Sequence, residues 1–192
     1  MKAGILALQG AFREHREVLD ALGVETVEVR IPADLSALDA LVIPGGESTT
    51  MNRLLDTSGL RAPLHERLRD GLPVLGTCAG LIVLAHEVLD GRPDQAPLDA
   101  IDCTVRRNAY GTQVQSFEAP VDVHGLPGGP FPGVFIRAPV VEAVGPDVEV
   151  LATHEGHVVM ARQWSVTVAA FHPELSGDSR LHARFLQEVK VL

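Results

Sequence analysis

Residues 73–89 read PVLGTCAGLIVLAHEVL, and this stretch decides the fold prediction. The apolar run PVL leads into the glycine-flanked segment GTCAG, and a second apolar run follows it. This order predicts a buried strand at Pro73–Leu75, a tight turn centred on Cys78 and a buried helix at Ala79–Leu89. A strand, a sharp turn and a helix form the nucleophile elbow of α/β enzymes, with cysteine in the position where hydrolases often have serine.

The predicted turn gives Cys78 the surroundings of a nucleophile. Glycines at positions 76 and 80 permit a cramped backbone that pushes the central side chain away from the sheet. The start of the following helix favours a thiolate over a thiol, and its backbone N–H groups can stabilise an oxyanion. The motif alone is also compatible with a buried structural cysteine, so the interpretation needs support from other residues.

The sequence on the N-terminal side of this stretch alternates between strand-like and helical patterns. Continuous apolar or β-branched runs predict strands, and amphipathic spacing predicts helices. The predicted strands are Ala3–Leu8, Val24–Arg30 and Ala40–Ile43, and the predicted helices are Ala11–Leu22, Thr50–Asp56 and Leu60–Arg69. This alternation is typical of an α/β domain with a mainly parallel sheet.

Strand patterns dominate the C-terminal side, between residues 101 and 171. The strand-like runs are CTVRR, TQVQSF, VFIRA, VEVLAT, HVVMA and SVTVAAF. Turn-rich segments separate them, and a stripe of Leu181, Phe185 and Val189 predicts a closing helix. The length of 192 residues favours a single domain over residues 1–192, with an antiparallel extension in its second half.

Composition limits the class of protein. Sixteen basic and 25 acidic residues give a net charge of −9, which argues against a nucleic-acid partner. The apolar runs are too short for a signal peptide or a membrane span, and two cysteines are too few for a disulfide framework. His154 and His157 lack further ligands nearby, so no metal site is expected. We therefore expect a soluble cytoplasmic protein without a membrane partner.

His172 is the best candidate for the base that Cys78 requires. It follows the apolar run Ser165–Phe171, so it should project from the C-terminal end of a strand, where open α/β sheets place their sites. Pro173 restricts the backbone, and Glu174 is placed to hold the imidazole in the productive tautomer. HPE alone is more typical of a surface turn, but together with GTCAG it favours a nucleophile, a base and an orienting carboxylate.

Residues 44–50, PGGESTT, follow the predicted strand ALVI and form a second candidate site. Gly45 and Gly46 expose backbone N–H groups that can serve an oxyanion or an anionic ligand. The segment lacks the ending of a phosphate loop, and a simple turn with a helix cap is the alternative. We expect an oxyanion hole built from the N–H of Ala79 and that of Gly45 or Gly46, with rotation of a glycine peptide as a switch.

These segments together resemble the class I (triad) glutamine amidotransferases, and more closely the glutaminase subunits of pyridoxal 5′-phosphate synthases. The matching segments are LQGAFREH at 8–15, PGGESTTM at 44–51, GTCAGLI at 76–82, RRNAYGTQVQSFE at 106–118, FIRAP at 135–139 and HPEL at 172–175. GTCAG and HPE are shared among amidotransferases, whereas PGGESTT, the 106–118 segment and FIRAP are particular to these subunits. The resemblance covers the whole chain.

The resemblance implies the roles of individual residues. It assigns Cys78 as the nucleophile of a triad that His172 and Glu174 complete. It places the substrate glutamine against Gly46, Glu47, Ser48, Arg107, Ile136 and Arg137. This set suits glutamine, because arginine can bind the α-carboxylate through two hydrogen bonds and an acidic residue can meet the α-ammonium. Arg106 is chemically equivalent to Arg107, and only the segment match prefers the latter.

The resemblance also implies a fold, a reaction and a partner. A flavodoxin-like three-layer domain would hydrolyse L-glutamine to L-glutamate and ammonia through a γ-glutamyl thioester, without a cofactor. The ammonia would pass to a synthase (lyase) subunit that makes pyridoxal 5′-phosphate from ribose 5-phosphate and glyceraldehyde 3-phosphate. A large hetero-oligomer built on a ring of synthase subunits is implied. The alternatives are a glutaminase of another synthase, such as imidazole glycerol phosphate synthase, and a catalytically silent regulatory scaffold.

Overall fold

The structure is a computed structural model that describes residues 1–92, 96–107 and 116–191. Its helices are α1 (Phe12–Ala21), α2 (Ser48–Thr57), α3 (Arg61–Arg69), α4 (Ala79–Leu84) and α5 (Arg180–Val189). Its strands are β1 (Lys2–Leu6), β2 (Glu25–Val29), β3 (Ala40–Ile43), β4 (Val74–Thr77), β5 (Ala85–Val88), β6 (Ile101–Arg106), β7 (Ser116–Val121), β8 (Phe131–Ile136), β9 (Val140–Val144), β10 (Glu149–His154), β11 (His157–Gln163) and β12 (Val166–Ala169). Short 3₁₀ turns occur at Pro32–Leu35 and Pro173–Leu175.

One large sheet organises the described part of the chain. Its strand order is β2-β1-β3-β4-β12-β11-β9-β6-β5, with β10 paired to β11. The first five strands in this order are parallel, which is the flavodoxin-like arrangement. From β12 onward, β11, β9 and β6 join antiparallel, and β7 and β8 form a separate antiparallel pair. The predicted α/β fold with a parallel centre and an antiparallel extension is confirmed.

Helices cover both faces of the parallel strands and produce three layers. Successive residues of a strand point to opposite faces, so Ile5 and Leu6 enter different apolar clusters. Ile5 packs in the cluster that contains Leu19 of α1 and Phe185 of α5. Leu6 belongs to the cluster that contains Met51 of α2. Because both faces are covered, the central strands β3, β4 and β12 are buried along their whole length.

Two features of the antiparallel half differ from the prediction. The predicted helix Ala79–Leu89 is wrong in its second half, since α4 ends at Leu84 and β5 follows it. Periodicity cannot distinguish a buried helix from a buried strand in such an apolar run, and parallel pairing with β6 decides for the strand. Strand β9 had no counterpart in the prediction. Residues 112–115 of the predicted strand TQVQSF lie outside the described residues, and β7 begins at Ser116.

The parallel strands place the candidate site at one edge of the sheet. β3, β4 and β12 end together, so the segments after them, which contain Gly45, Cys78 and His172, converge. A groove of about 450 Å³ lies at the opposite end of these strands, beside the exposed Trp164, and none of the predicted site residues lines it. In the described ranges, no helix is both long enough and apolar enough to span a membrane.

Candidate active site

Cys78 occupies a sharp turn between β4 and α4. Its backbone has φ 48° and ψ −102°, a region that non-glycine residues rarely occupy and that costs on the order of 1–3 kcal/mol. Its N–H donates to the carbonyl of Ala169 at 2.8 Å, which ties the turn to β12. A Cβ at Gly80 would overlap the Ile43 carbonyl oxygen, so the glycine lets α4 pack against β3. Ala79, a predicted oxyanion donor, is the first residue of α4.

His172 lies between Cys78 and Glu174. Its Nδ1 is 2.7 Å from Glu174 Oε1 and donates to it, which leaves Nε2 as the ring nitrogen available to the thiol. Its backbone N–H donates to the Val134 carbonyl at 2.8 Å. Burial lowers the pKa of His172, but the hydrogen bonds and charges of Cys78 and Glu174 outweigh burial and raise this pKa to about 10. The contacts with Cys78 and Glu174 therefore favour the charged imidazole.

The Gly45–Gly46 backbone packs directly on this pair. A Cβ at residue 45 would lie 2.9 Å from His172 Nδ1 and 3.3 Å from the Cβ of Cys78, so the position has room only for glycine. The carbonyl of Gly45 accepts a hydrogen bond from the N–H of Ala11 at 3.0 Å. Because the peptide is trans, the N–H of Gly46 points away from this carbonyl. The loop thus contacts the nucleophile and is held by the segment before α1.

Glu47 caps α2 and also meets Arg107. Its carboxylate accepts hydrogen bonds from the N–H groups of Thr49 at 2.9 Å and Thr50 at 2.7 Å. Burial raises the pKa of Glu47, but these bonds and that of the Thr50 hydroxyl prevail and lower it to about 2. Arg107 Nη2 donates to Glu47 Oε1 at 3.3 Å. Helix α2 begins at Ser48, earlier than the predicted start at Thr50, and Glu47 is its N-cap. The alternative interpretation of the segment, a turn with a helix cap, therefore describes the local structure correctly.

The two adjacent arginines have different surroundings. The guanidinium of Arg106 donates to Glu142 at 2.7 Å on the exposed side of the sheet, whereas Arg107 reaches Glu47 in the PGGESTT segment. The structure therefore places Arg107, and not Arg106, beside the candidate site. Residues 108–115 of the same segment lie outside the described residues.

The FIRAP segment approaches the nucleophile through its backbone. The carbonyl oxygen of Ile136, the last residue of β8, lies 3.8 Å from Cys78 Sγ. Arg137 follows with φ 47° and an exposed side chain. The structure thus brings the backbone of Ile136 to the Cys78 thiol. Arg137, the next residue in the chain, lies on the surface.

Sequence reasoning missed Gln9, which contacts the PGGESTT segment. Its side-chain amide makes two hydrogen bonds to the backbone of Glu47. Oε1 accepts from the Glu47 N–H at 3.2 Å, and Nε2 donates to the Glu47 carbonyl at 3.3 Å. A Cβ at Gly46 would also collide with this amide. Gln9 lies in the LQGAFREH segment, so its position within a matching motif was the available signal.

Two fully buried histidines were also missed. His15 of α1 and His182 of α5 have no exposed surface, and their rings lie 2.9 Å apart, measured from His15 Nδ1 to His182 Nε2. His15 Nε2 is 3.3 Å from Glu174 Oε2. His15 precedes the buried Leu19 by four residues, so a polar residue on the apolar stripe of α1 was the signal in the sequence.

No group of three or more potential metal ligands occurs within residues 1–92, 96–107 and 116–191. His154 and His157 pair across the β10–β11 hairpin, and the ring of His154 stacks on Phe135 and Phe117. The ring of His154 thus packs against aromatic side chains.

Comparison with known proteins assigns the chain first to a class and then to a family. A solved structure described as a glutamine amidotransferase has a TM-score of 0.92 and 48% sequence identity, and the match covers 98% of both chains. The fold is therefore that of the glutamine amidotransferases of class I. Within this class the chain belongs to the SNO glutamine amidotransferase family, which matches residues 5–191.

Relatives with curated names agree with this assignment. The chain is 56% identical over 192 residues to "Pyridoxal 5′-phosphate synthase subunit PdxT" of Salinispora arenicola, covering 97% of this chain and 96% of the relative. It is 57% identical over 187 residues to the protein of the same name from Mycobacteroides abscessus, again covering 97% and 96%. The resemblance deduced from the motifs is confirmed.

Proposed function

We propose that this protein is the glutaminase subunit of a pyridoxal 5′-phosphate synthase and that it hydrolyses L-glutamine to L-glutamate and ammonia. The observation that carries the proposal is the contact series from Cys78 through His172 to Glu174 at the end of the parallel strands. Family membership supports the amidotransferase chemistry, and the names of the relatives support the synthase.

The first half of the reaction uses the proton that His172 already holds. The imidazolium stabilises the Cys78 thiolate, which attacks the side-chain amide carbon of glutamine. As the C–N bond breaks, His172 Nε2 transfers its proton to the departing nitrogen, and ammonia leaves a γ-glutamyl thioester on Cys78. Glu174 accepts from Nδ1 throughout and keeps Nε2 directed at the reaction.

The second half returns the enzyme to its starting state. The neutral His172 takes a proton from water, and the resulting hydroxide attacks the thioester carbon. The C–S bond breaks, glutamate departs, and the thiolate–imidazolium pair forms again. Both tetrahedral intermediates carry an oxyanion, which we assign to the N–H of Ala79 and an N–H of the Gly45–Gly46 loop.

We assign glutamine binding to Gly46, Glu47, Ser48, Arg107, Ile136 and Arg137. Two contacts support this set. The Ile136 carbonyl lies beside the Cys78 thiol, and Arg107 binds Glu47 in the PGGESTT loop. In this arrangement an arginine would bind the α-carboxylate of glutamine, as two hydrogen bonds from a guanidinium match a carboxylate.

We further propose that ammonia passes directly to a synthase subunit within a large hetero-oligomer built on a ring of such subunits. That subunit would make pyridoxal 5′-phosphate from ribose 5-phosphate and glyceraldehyde 3-phosphate. Both Cys78 and Cys103 are free thiols, which fits a reducing compartment, and we place the complex in the cytoplasm.

The test compares wild type with Cys78→Ala in complex with the synthase subunit of the same organism. Cys78→Ala should abolish glutamine hydrolysis and glutamine-dependent formation of pyridoxal 5′-phosphate, yet leave formation from added ammonium chloride intact. Cys103→Ala is the matched control, since burial raises the pKa of Cys103 to about 12 and this thiol lies in β6. Residual hydrolysis by Cys78→Ala would refute the nucleophile assignment.

The same assay separates the alternatives. Wild-type hydrolysis without product formation would indicate a glutaminase of another synthase. A wild-type complex that hydrolyses no glutamine would indicate a regulatory scaffold.

A further inference from the structure

We infer that His15 and His182 are positioning residues for Glu174 and act through it on the catalytic imidazole. The inference rests on the proposed function. It goes beyond a triad, because it adds a chain of buried polar contacts that runs from α5 through α1 to the carboxylate.

Glu174 needs a second donor at this position. Its side chain is fully buried, and His172 Nδ1 occupies only Oε1. Oε2 has no hydrogen-bond partner among the residues that the structure describes. A buried carboxylate oxygen without a donor is strongly unfavourable, and His15 Nε2 faces it at 3.3 Å.

Both histidines are neutral at pH 7, so each carries one N–H. Burial, then the neighbouring His182 and His172, lower the pKa of His15 well below its usual value. Burial alone lowers the pKa of His182 to about 4. The hydrogen bond between the two rings needs one donor and one acceptor, so only two arrangements of the two ring protons are possible.

The contacts favour one of these arrangements. With the proton on Nε2, the N–H of His15 meets the Thr77 hydroxyl at 3.1 Å and faces Glu174 Oε2 at 3.3 Å. Its Nδ1 then accepts from His182 Nε2–H at 2.9 Å. With the protons reversed, the Nε2 lone pair of His15 would face the carboxylate, and His182 Nδ1–H would be a buried donor without an acceptor among the described residues. The first arrangement avoids both penalties.

This arrangement fixes the carboxylate from both sides. His172 donates to one oxygen of Glu174 and His15 faces the other with its N–H, so rotation of the carboxylate is suppressed. The hydroxyl of Thr77, the residue before the nucleophile, lies 3.1 Å from the same nitrogen of His15. The packing of α1 and α5 is thereby linked to the orientation of the catalytic imidazole, although neither helix contributes a triad residue.

The experiment replaces His15 in the complex with the synthase subunit and measures kcat and KM for glutamine. His15→Leu should lower kcat at least about tenfold with KM unchanged within twofold, because a misplaced catalytic group slows chemistry more than binding. His15→Gln retains a side-chain N–H and should recover most of the lost kcat. Leu19→Ala is the matched control on the same buried face of α1, and it should lower the melting temperature without this loss of kcat.

A second readout is independent of glutamine turnover. Alkylation of Cys78 by iodoacetamide in the subunit alone reports the thiolate–imidazolium pair, and His15→Leu should slow it several-fold. If the wild-type protein has no glutaminase activity, the proposed function is wrong. The alkylation rate still tests whether His15 and His182 position Glu174. If His15→Leu does not fold, His182→Leu should show the same pattern more weakly.

Wild-type kcat and alkylation rate in a folded His15→Leu protein would overturn the inference. An equal loss of kcat in Leu19→Ala would also overturn it, since that result indicates general destabilisation.

Discussion

Gly45 and His172 are in direct contact, with the backbone of the glycine against the edge of the imidazole ring. A Cβ at residue 45 would lie 2.9 Å from His172 Nδ1, the atom that donates to Glu174. The PGGESTT loop therefore limits where the imidazole can lie, in addition to its proposed part in the oxyanion hole. The loop and the triad form one packed unit.

Gly45→Ala should reduce glutamine turnover by about a hundredfold, because the added methyl displaces either the imidazole or the loop. Steady-state hydrolysis in the presence of the synthase subunit measures the effect. The melting temperature of Gly45→Ala is the control for folding. Turnover of Gly45→Ala close to wild type would contradict the packing described above.

Replacing Glu174 by glutamine should cost less activity than replacing His172 by alanine. The glutamine keeps an acceptor for Nδ1–H, whereas the alanine removes the group that protonates ammonia. The measurement is kcat for glutamine hydrolysis, with circular dichroism as the control for folding. A fully active His172→Ala protein would eliminate the triad as the catalytic unit.

Turnover should rise about a hundredfold when the synthase subunit binds. The Ala11 N–H holds the Gly45 carbonyl in the isolated chain, and we expect docking to rotate this peptide and complete the oxyanion hole. One such donor contributes on the order of 3 kcal/mol to transition-state stabilisation. Comparing kcat and KM with and without the partner tests this. Equal turnover in both conditions would refute the switch and leave the triad assignment intact.

The free energy of unfolding should fall as the pH drops from about 6.5 towards 4. His182 has a pKa of about 4 when folded and an ordinary value near 6.5 when unfolded, so the unfolded chain binds the extra proton in this range. The stabilisation is complete above pH 6.5 and amounts to roughly 3 kcal/mol. Urea denaturation followed by circular dichroism measures it. The lowered pKa of His15 likewise makes the free energy of unfolding fall as the pH drops.

His182→Leu should flatten this dependence, whereas replacing the exposed His65 by glutamine should not change it. An unchanged slope in His182→Leu would show that the acid sensitivity arises elsewhere.

Local sequence determined the parts of the site that depend on near neighbours. The GTCAG segment fixed the strand, the turn and the helix start around Cys78, because two glycines and two apolar runs act within a few residues. His172 and Glu174 are two residues apart, so their hydrogen bond could be anticipated from HPE. The alternation of strands and helices likewise predicted the parallel half of the sheet.

Tertiary structure decided what depends on residues distant in the chain. Pairing with β6 turned the end of an apolar run into β5, and the contact with Glu47 distinguished Arg107 from Arg106. The contact of His15 with Glu174 arises only when α1 and the 3₁₀ turn after β12 pack together. The physical reason is that propensity and periodicity act within one segment, whereas the hydrogen bonds that satisfy a buried polar group come from whichever segment the fold brings alongside.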